Sequence, residues 1–223
     1  MELISFLEYI GVFVFAASGA ICAIENRMDF FGILTLAAVT AMGGGVIRDV
    51  VTNIGIPALF SDYISIGIIL LSTTLTIIFR GKIKWKTSFL LLDAIGLAVF
   101  TVAAGMKAIE LHYNFLTFIF VSLITAIGGG VVRDILSKRV PIILKREIYA
   151  VASLIGSTVF WIISPWIGIY LSSYLCLTLI FMIRIFTYYY HIHLPYIENG
   201  KIIFYFNQKN PMIDSSGFYL LSF

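Results

Sequence analysis

The sequence predicts an all-α integral membrane protein, with seven transmembrane helices arranged as two inverted three-helix repeats plus a seventh helix. Three observations lead there. Of the 223 residues, 60% are hydrophobic and only 12% are charged, about half of the roughly 25% charged fraction of soluble domains. The apolar residues fall into seven continuous runs, each near the ~20 residues needed to cross a bilayer. Finally, TAMGGGVIRD at Thr40–Asp49 returns as TAIGGGVVRD at Thr125–Asp134.

In chain order the runs are Leu3–Ile24, Phe30–Val50, Phe60–Phe79, Ser88–Ile109, Phe115–Asp134, Ile148–Ser164 and Ile167–Phe186. They are continuously apolar, without the alternation of transmembrane strands, and a helix satisfies its own backbone in lipid. The first run begins with acidic Glu2 and is as long as the others, so it reads as a mature helix and not as a signal peptide. Arg80, Lys82, Lys84 and Lys86 follow the third run, and Lys138, Arg139, Lys145 and Arg146 follow the fifth. Both clusters fall on one side if every run crosses. Basic loops are retained in the cytoplasm, which predicts an outside N-terminus and a cytoplasmic C-terminus. In a chain that is nearly all membrane, these clusters do not indicate nucleic-acid binding. Cys22 and Cys176 lie inside runs without metal-ligand spacing and read as small buried side chains.

Shifting the chain by 85 residues aligns Glu8–Asp49 with Asp93–Asp134 without a gap, with sixteen of forty-two positions identical. The repeats are expected at about 3–79 and 88–164, and the seventh helix at about 167–186. Together they form one transmembrane domain, 1–186, followed by a tail, 187–223, to which no role is assigned. Because each unit holds three spans, the second copy enters the membrane from the opposite side, and the halves are related by a pseudo-two-fold axis in the membrane plane. Such duplication is typical of transporters and channels.

Three consecutive glycines remove side-chain cover from almost a full helical turn. Glycines also allow close helix packing. Their occurrence as Gly43, Gly44, Gly45 and Gly128, Gly129, Gly130, at equivalent points of inverted repeats, favours a helix break or kink that lines a pathway. Carbonyls released there would coordinate a passing cation, and the hydroxyls of Thr40 and Thr125 would line the path. Neither block has the spacing of a phosphate-binding loop.

Arg48-Asp49 and Arg133-Asp134 end the second and fifth runs. Glu8 lies inside the start of the first run, at the depth to which Arg48 returns, and Asp93 repeats the relation with Arg133. Charges within spans pair or face water, so these are expected to form gates or structural clasps at opposite mouths. The alternative for the aspartates is a boundary position at the interface. His112, His191 and His193 have no partners of a zinc site, no cofactor-binding pattern is present, and the chain does not read as an enzyme.

The segments GVFVFAASGAICAI, GGGVIRD, LLDAIGLAVFTVAAGMKAI and GGGVVRD, then VP followed by REIYA, and R-x-F leading to Leu194-Pro195, together resemble the prokaryotic branch of the trimeric intracellular cation channel family. The resemblance covers about Glu8 to Pro195. It implies a seven-helix protomer, a homotrimer in a prokaryotic inner membrane in contact with its lipids, and a potassium-permeable pathway through each protomer. It also implies kinks at the two triplets, with potassium bound transiently near them, and it matches Arg48, Asp49, Arg133 and Asp134 to family positions. Some bacterial members are described as glycine transporters, so the resemblance leaves a channel and an alternating-access carrier of a small amino acid both open. The animal members' lipid-binding Lys-Glu segment has no counterpart here, and the aromatic tail departs from the family's usual short end.

Overall fold

The computed structural model describes residues 2–53, 57, 62–79, 85–145, 148–190, 196–198 and 201–203. Arg80, Lys82, Lys84, Arg146, His191, His193, Leu194 and Pro195 lie outside these residues. The helices are α1 (Glu2–Glu25), α2 (Phe30–Val51), α3 (Tyr63–Ile78), α4 (Trp85–Glu110), α5 (Phe115–Leu136), the single turn α6 (Ile142–Lys145), α7 (Ile148–Ile167) and α8 (Ile169–Tyr189). The fold is all-helical, apart from one feature in the tail. Strands β1 (Tyr196–Glu198) and β2 (Lys201–Ile203) pair antiparallel, Tyr196 opposite Ile203 and Glu198 opposite Lys201. Asn199-Gly200 between two β-prone runs is the sequence signal for such a hairpin.

The repeat is written into the helix ends as well as the helix interiors. Asp29 caps α2 by accepting from Gly32 N at 2.7 Å, and Asn114, its equivalent, caps α5 by accepting from Thr117 N at 2.9 Å. Arg27 and His112 both take φ of 55° just beyond α1 and α4. There, Met28 N donates to Ala23 O and Tyr113 N to Ala108 O, both at 3.0 Å, closing the left-handed terminal turn that satisfies the last carbonyls. Asn53 and Lys138 repeat the same conformation beyond α2 and α5.

Among the described residues, six helices (α1, α2, α4, α5, α7 and α8) are long and apolar enough to cross a membrane. Helix α3, with 16 residues, rises ~24 Å against a hydrocarbon core of ~30 Å. It starts where the Asp62 carboxylate accepts from Ile64 N and Ser65 N, later than the expected Phe60, which lies outside the described residues. Between α7 and α8 the chain turns on Gly168 alone, whose φ of 83° is a conformation that glycine takes without penalty.

Helices α1 and α4 are the innermost, with 72% and 78% of their spans buried, against 28% for each of α2, α7 and α8. Their inward faces carry small residues, Ala16, Ala20, Ala98 and Ala104 among them, all fully buried. Lipid offers no hydrophobic drive between helices, so close contact of small side chains is what holds them together. Phe15 and Phe100, equivalent residues, meet each other with ring centroids 5.2 Å apart. Each ring also occupies the space that a side chain would need at the other repeat's glycine, Phe15 at Gly96 and Phe100 at Gly11. Outside the duplication, α8 packs on α7 and α4.

Candidate functional site

Helices α2 and α5 cross at the glycine triplets, and the crossing obeys the same two-fold relation. A Cβ on Gly44 would fall on Thr125 O, and a Cβ on Gly129 would fall on Thr40 O. Gly128 and Gly44 are also in near contact, a Cβ on the first coming within 3.0 Å of the second's Cα. Of the break or kink expected at the triplets, the break is corrected here: both helices run without interruption through their triplets, Phe30–Val51 and Phe115–Leu136. An intact helix keeps its peptide groups bonded where no water can replace the bond, and the missing side chains serve close backbone approach instead. No carbonyl is released to a cation by unwinding at either triplet. Thr40 and Thr125, also expected to line the path, are fully buried, and their hydroxyls donate to Leu36 O at 2.6 Å and Val121 O at 2.7 Å. In an apolar interior a hydroxyl takes the nearest carbonyl one turn back.

Flanking this crossing are two charged clusters. At the first, Arg48 Nη1 donates to Glu8 Oε1 at 3.0 Å and Nε to Asp49 Oδ1 at 2.8 Å. Beside it lies a cavity of about 70 Å³ bordered by Glu8, Gly45, Arg48, Asp49, Asp62 and Phe100. At the second, Arg133 Nη1 donates to Asp93 Oδ1 and to Ser18 Oγ, both at 2.8 Å, and Nε to Asp134 Oδ1 at 2.9 Å. Asp134 Oδ2 accepts from Ile142 N at 2.9 Å and so fixes the start of α6. A cavity of about 520 Å³ opens beside this cluster, bordered by Phe89, Asp93, Asp134, Lys138, Arg139 and Arg184.

The clusters correspond residue by residue, yet differ in burial. Glu8 keeps 29% of its side chain exposed, whereas Asp93 and Arg133 are each 1% exposed. The Arg133 guanidinium also lies over the Phe89 ring at 4.5 Å.

Sequence reading assigned no role to three participants, each in a segment that carries the family resemblance: Ser18 in GVFVFAASGAICAI, Tyr149 in REIYA and Arg184 in R-x-F. Ser18 and Tyr149 carry no physical signal of their own. Arg184 does carry one, being a lone cation inside the apolar α8, the kind of residue that in a membrane marks a partner or a pathway. Its guanidinium lies over the Tyr149 ring at 4.5 Å, and Nη2 is 3.8 Å from Asp93 Oδ2.

A helical membrane protein built from inverted repeats, with charged cavities at opposite ends of one helix crossing, falls in the class that contains channels and transporters. The glycine transporter family model matches residues 5–81 and 90–165. The chain belongs to this family, and its fold is that of trimeric intracellular cation (TRIC) channels. The TRIC orthologue from Rhodobacter sphaeroides superimposes with a TM-score of 0.82 at 28% identity, covering 86% of this chain and 100% of that one. A structure described as the basis for conductance through TRIC cation channels gives 0.78 at 33% identity, covering 87% and 97%. Among sequence relatives, the UPF0126 inner membrane protein YadS of Escherichia coli (strain K12) is 35% identical over 210 residues, 89% of this chain and all of that protein. The UPF0126 membrane protein YvgT of Bacillus subtilis (strain 168) is 34% identical over 191 residues, 85% of this chain and 94% of that protein.

Proposed function

We propose that the protein is a cation channel, permeable to potassium and other monovalent cations, with a pathway inside each protomer that joins the two charged cavities past α2 and α5. The observation that carries this reading is the two-fold pair of carboxylate-bearing cavities at opposite ends of the glycine crossing. The likeness to solved cation channels over more than four-fifths of the chain supports it. The conformation described is closed at the centre, where Phe15 meets Phe100 and α2 touches α5. Opening requires these contacts to part.

On this reading α3 is the seventh span, residues 1–186 form one transmembrane domain, and three protomers assemble in a bacterial inner membrane. Apolar side chains such as Phe31, Leu116 and Trp166, all largely exposed in the protomer, face lipid or a neighbouring protomer. An alternating-access carrier of a small amino acid is the second reading, favoured by the name of the family that the chain matches. Purified protein in a planar bilayer separates the two. Discrete unitary potassium currents are the expected result, and saturable glycine uptake without such steps overturns the channel.

The orientation proposed is an outside N-terminus. A cysteine at Lys138 is then expected to resist an impermeant thiol reagent in intact cells, while one at Asn114 reacts; both positions are exposed, and the native Cys22 and Cys176 are buried. The opposite labelling pattern reverses the topology.

A further inference from the structure

The two ends of the crossing are equivalent by sequence repeat but not by charge. At the first, among the described residues, one cation, Arg48, faces Glu8 and Asp49, and Asp62 borders the same cavity. At the second, Arg133 faces Asp93 and Asp134, but Arg184, Lys138 and Arg139 border that cavity too, Arg139 being paired with Glu25 at 3.1 Å. The first mouth is acidic and the second is not.

The deepest contributor to this difference is Arg184. It comes from α8, which lies outside the duplication, so the first mouth has no equivalent of it. Arg184 is 4% exposed, yet it does not coordinate its acid closely. The approach of Nη2 to Asp93 Oδ2 is 3.8 Å, that oxygen accepts no hydrogen bond, and Arg184 Nε donates none among the described residues. Asp93 borders the larger cavity. A buried carboxylate with one oxygen unbonded, a cation held nearby without bonding it, and an adjoining cavity together describe an acid site filled electrostatically by a side chain.

We propose that Arg184 is a tethered counter-cation: it neutralises the position at Asp93 that a mobile monovalent cation would otherwise occupy. The Asp93 mouth is thereby a poor cation site while the Glu8 mouth remains a good one, and current through the pathway rectifies. The rectification rests on the channel reading, whereas the occupancy of the site does not.

Both parts are tested with Arg184→Gln, Arg184→Lys and the double variant Arg184→Gln/Asp93→Asn. Thermal unfolding of the purified protein is followed at mildly alkaline pH, with potassium chloride titrated against choline chloride at constant ionic strength. Arg184→Gln is expected to gain potassium-specific stabilisation, with an apparent affinity at least about tenfold above wild type, as removal of one like charge from a poorly hydrated site requires. Arg184→Lys, which keeps the charge, is expected to behave as wild type, and the double variant to lose the gain. If Arg184→Gln does not assemble, Arg184→Met, which keeps packing over Tyr149, is read the same way. In bilayers with symmetric potassium chloride, the wild-type conductance ratio between polarities is expected to be about twofold or more and to fall towards unity in Arg184→Gln only. A wild-type potassium response in Arg184→Gln, or a gain that survives in the double variant, overturns the proposal. Potassium stabilisation without unitary current retains the counter-cation and removes the channel instead.

Discussion

Gly44→Ala and Gly129→Ala are expected to destabilise the protein at or above the upper end of the ~1–3 kcal/mol range typical of overpacked cores, because the added methyl has nowhere to go. At both positions the obstructing atom is a backbone carbonyl oxygen, Thr125 O for Gly44 and Thr40 O for Gly129. A clash with a side chain is relieved by a rotamer change, whereas this one is relieved only by prising α2 from α5. The neighbours within the first triplet are the controls. A Cβ on Gly45 meets nothing nearer than Arg48 Nη2 at 4.0 Å, and one on Gly43 comes to 3.4 Å from Gly129 Cα. Gly45→Ala is therefore expected to cost little, with Gly43→Ala in between. The measurement is thermal or denaturant unfolding in mild detergent, with the monodisperse fraction as a second readout. Equal tolerance of alanine at all three positions would show that the crossing is looser than described. Similar stability in Gly44→Ala together with altered conduction would restore a role for flexibility at the triplet.

The second large effect is expected at Arg133. Replacing it with Gln leaves Asp93 and Asp134 without their central partner in a site where each is almost inaccessible to water. Breaking a buried ion pair in this way costs ~3–5 kcal/mol. Breaking the other pair from its acid side, by Glu8→Gln at the counterpart of Asp93, is expected to cost ~1 kcal/mol or less, since water already reaches Glu8 and screens the pair. Double-mutant cycles make the comparison quantitative. Coupling between Asp93 and Arg133 is expected near the upper part of the ~0.5–3 kcal/mol range for contacting residues, and between Glu8 and Arg48 near its lower end. Loss of unfolding free energy or of assembly measures both. Additive effects in the Asp93–Arg133 cycle would contradict the bidentate geometry that joins Arg133 to its two acids.

These unequal magnitudes have a structural origin. Ser18 on α1 accepts a hydrogen bond from Arg133, and Phe89 covers its guanidinium, so the second cluster is closed on several sides. Residue 103, which the repeat matches to Ser18, is alanine, so the first cluster cannot be closed in the same way. Duplication supplied two copies of one ionic motif, and the surrounding side chains then diverged.

The membrane class and the helix positions could be read from the sequence because both depend on local composition. A run of about twenty apolar residues has no stable alternative in lipid, and Asp29 and Asn114 mark helix starts through bonds to residues three positions away. The duplication was equally readable, since gapless identity needs no knowledge of contacts. Even the pairing of Glu8 with Arg48 and of Asp93 with Arg133 followed from depth, because each acid and each arginine lies a similar distance from the same face. What the glycine triplets do depended instead on what lies opposite them. Sequence shows that side chains are missing, but only the crossing of α2 and α5 shows that the space is filled by another backbone, which keeps both helices whole. The place of Arg184 beside Asp93 was likewise a tertiary decision. It depends on how α8, which has no copy to be aligned with, docks against α4 and α7, and a long-range electrostatic contact leaves no spacing in the chain from which it could be read.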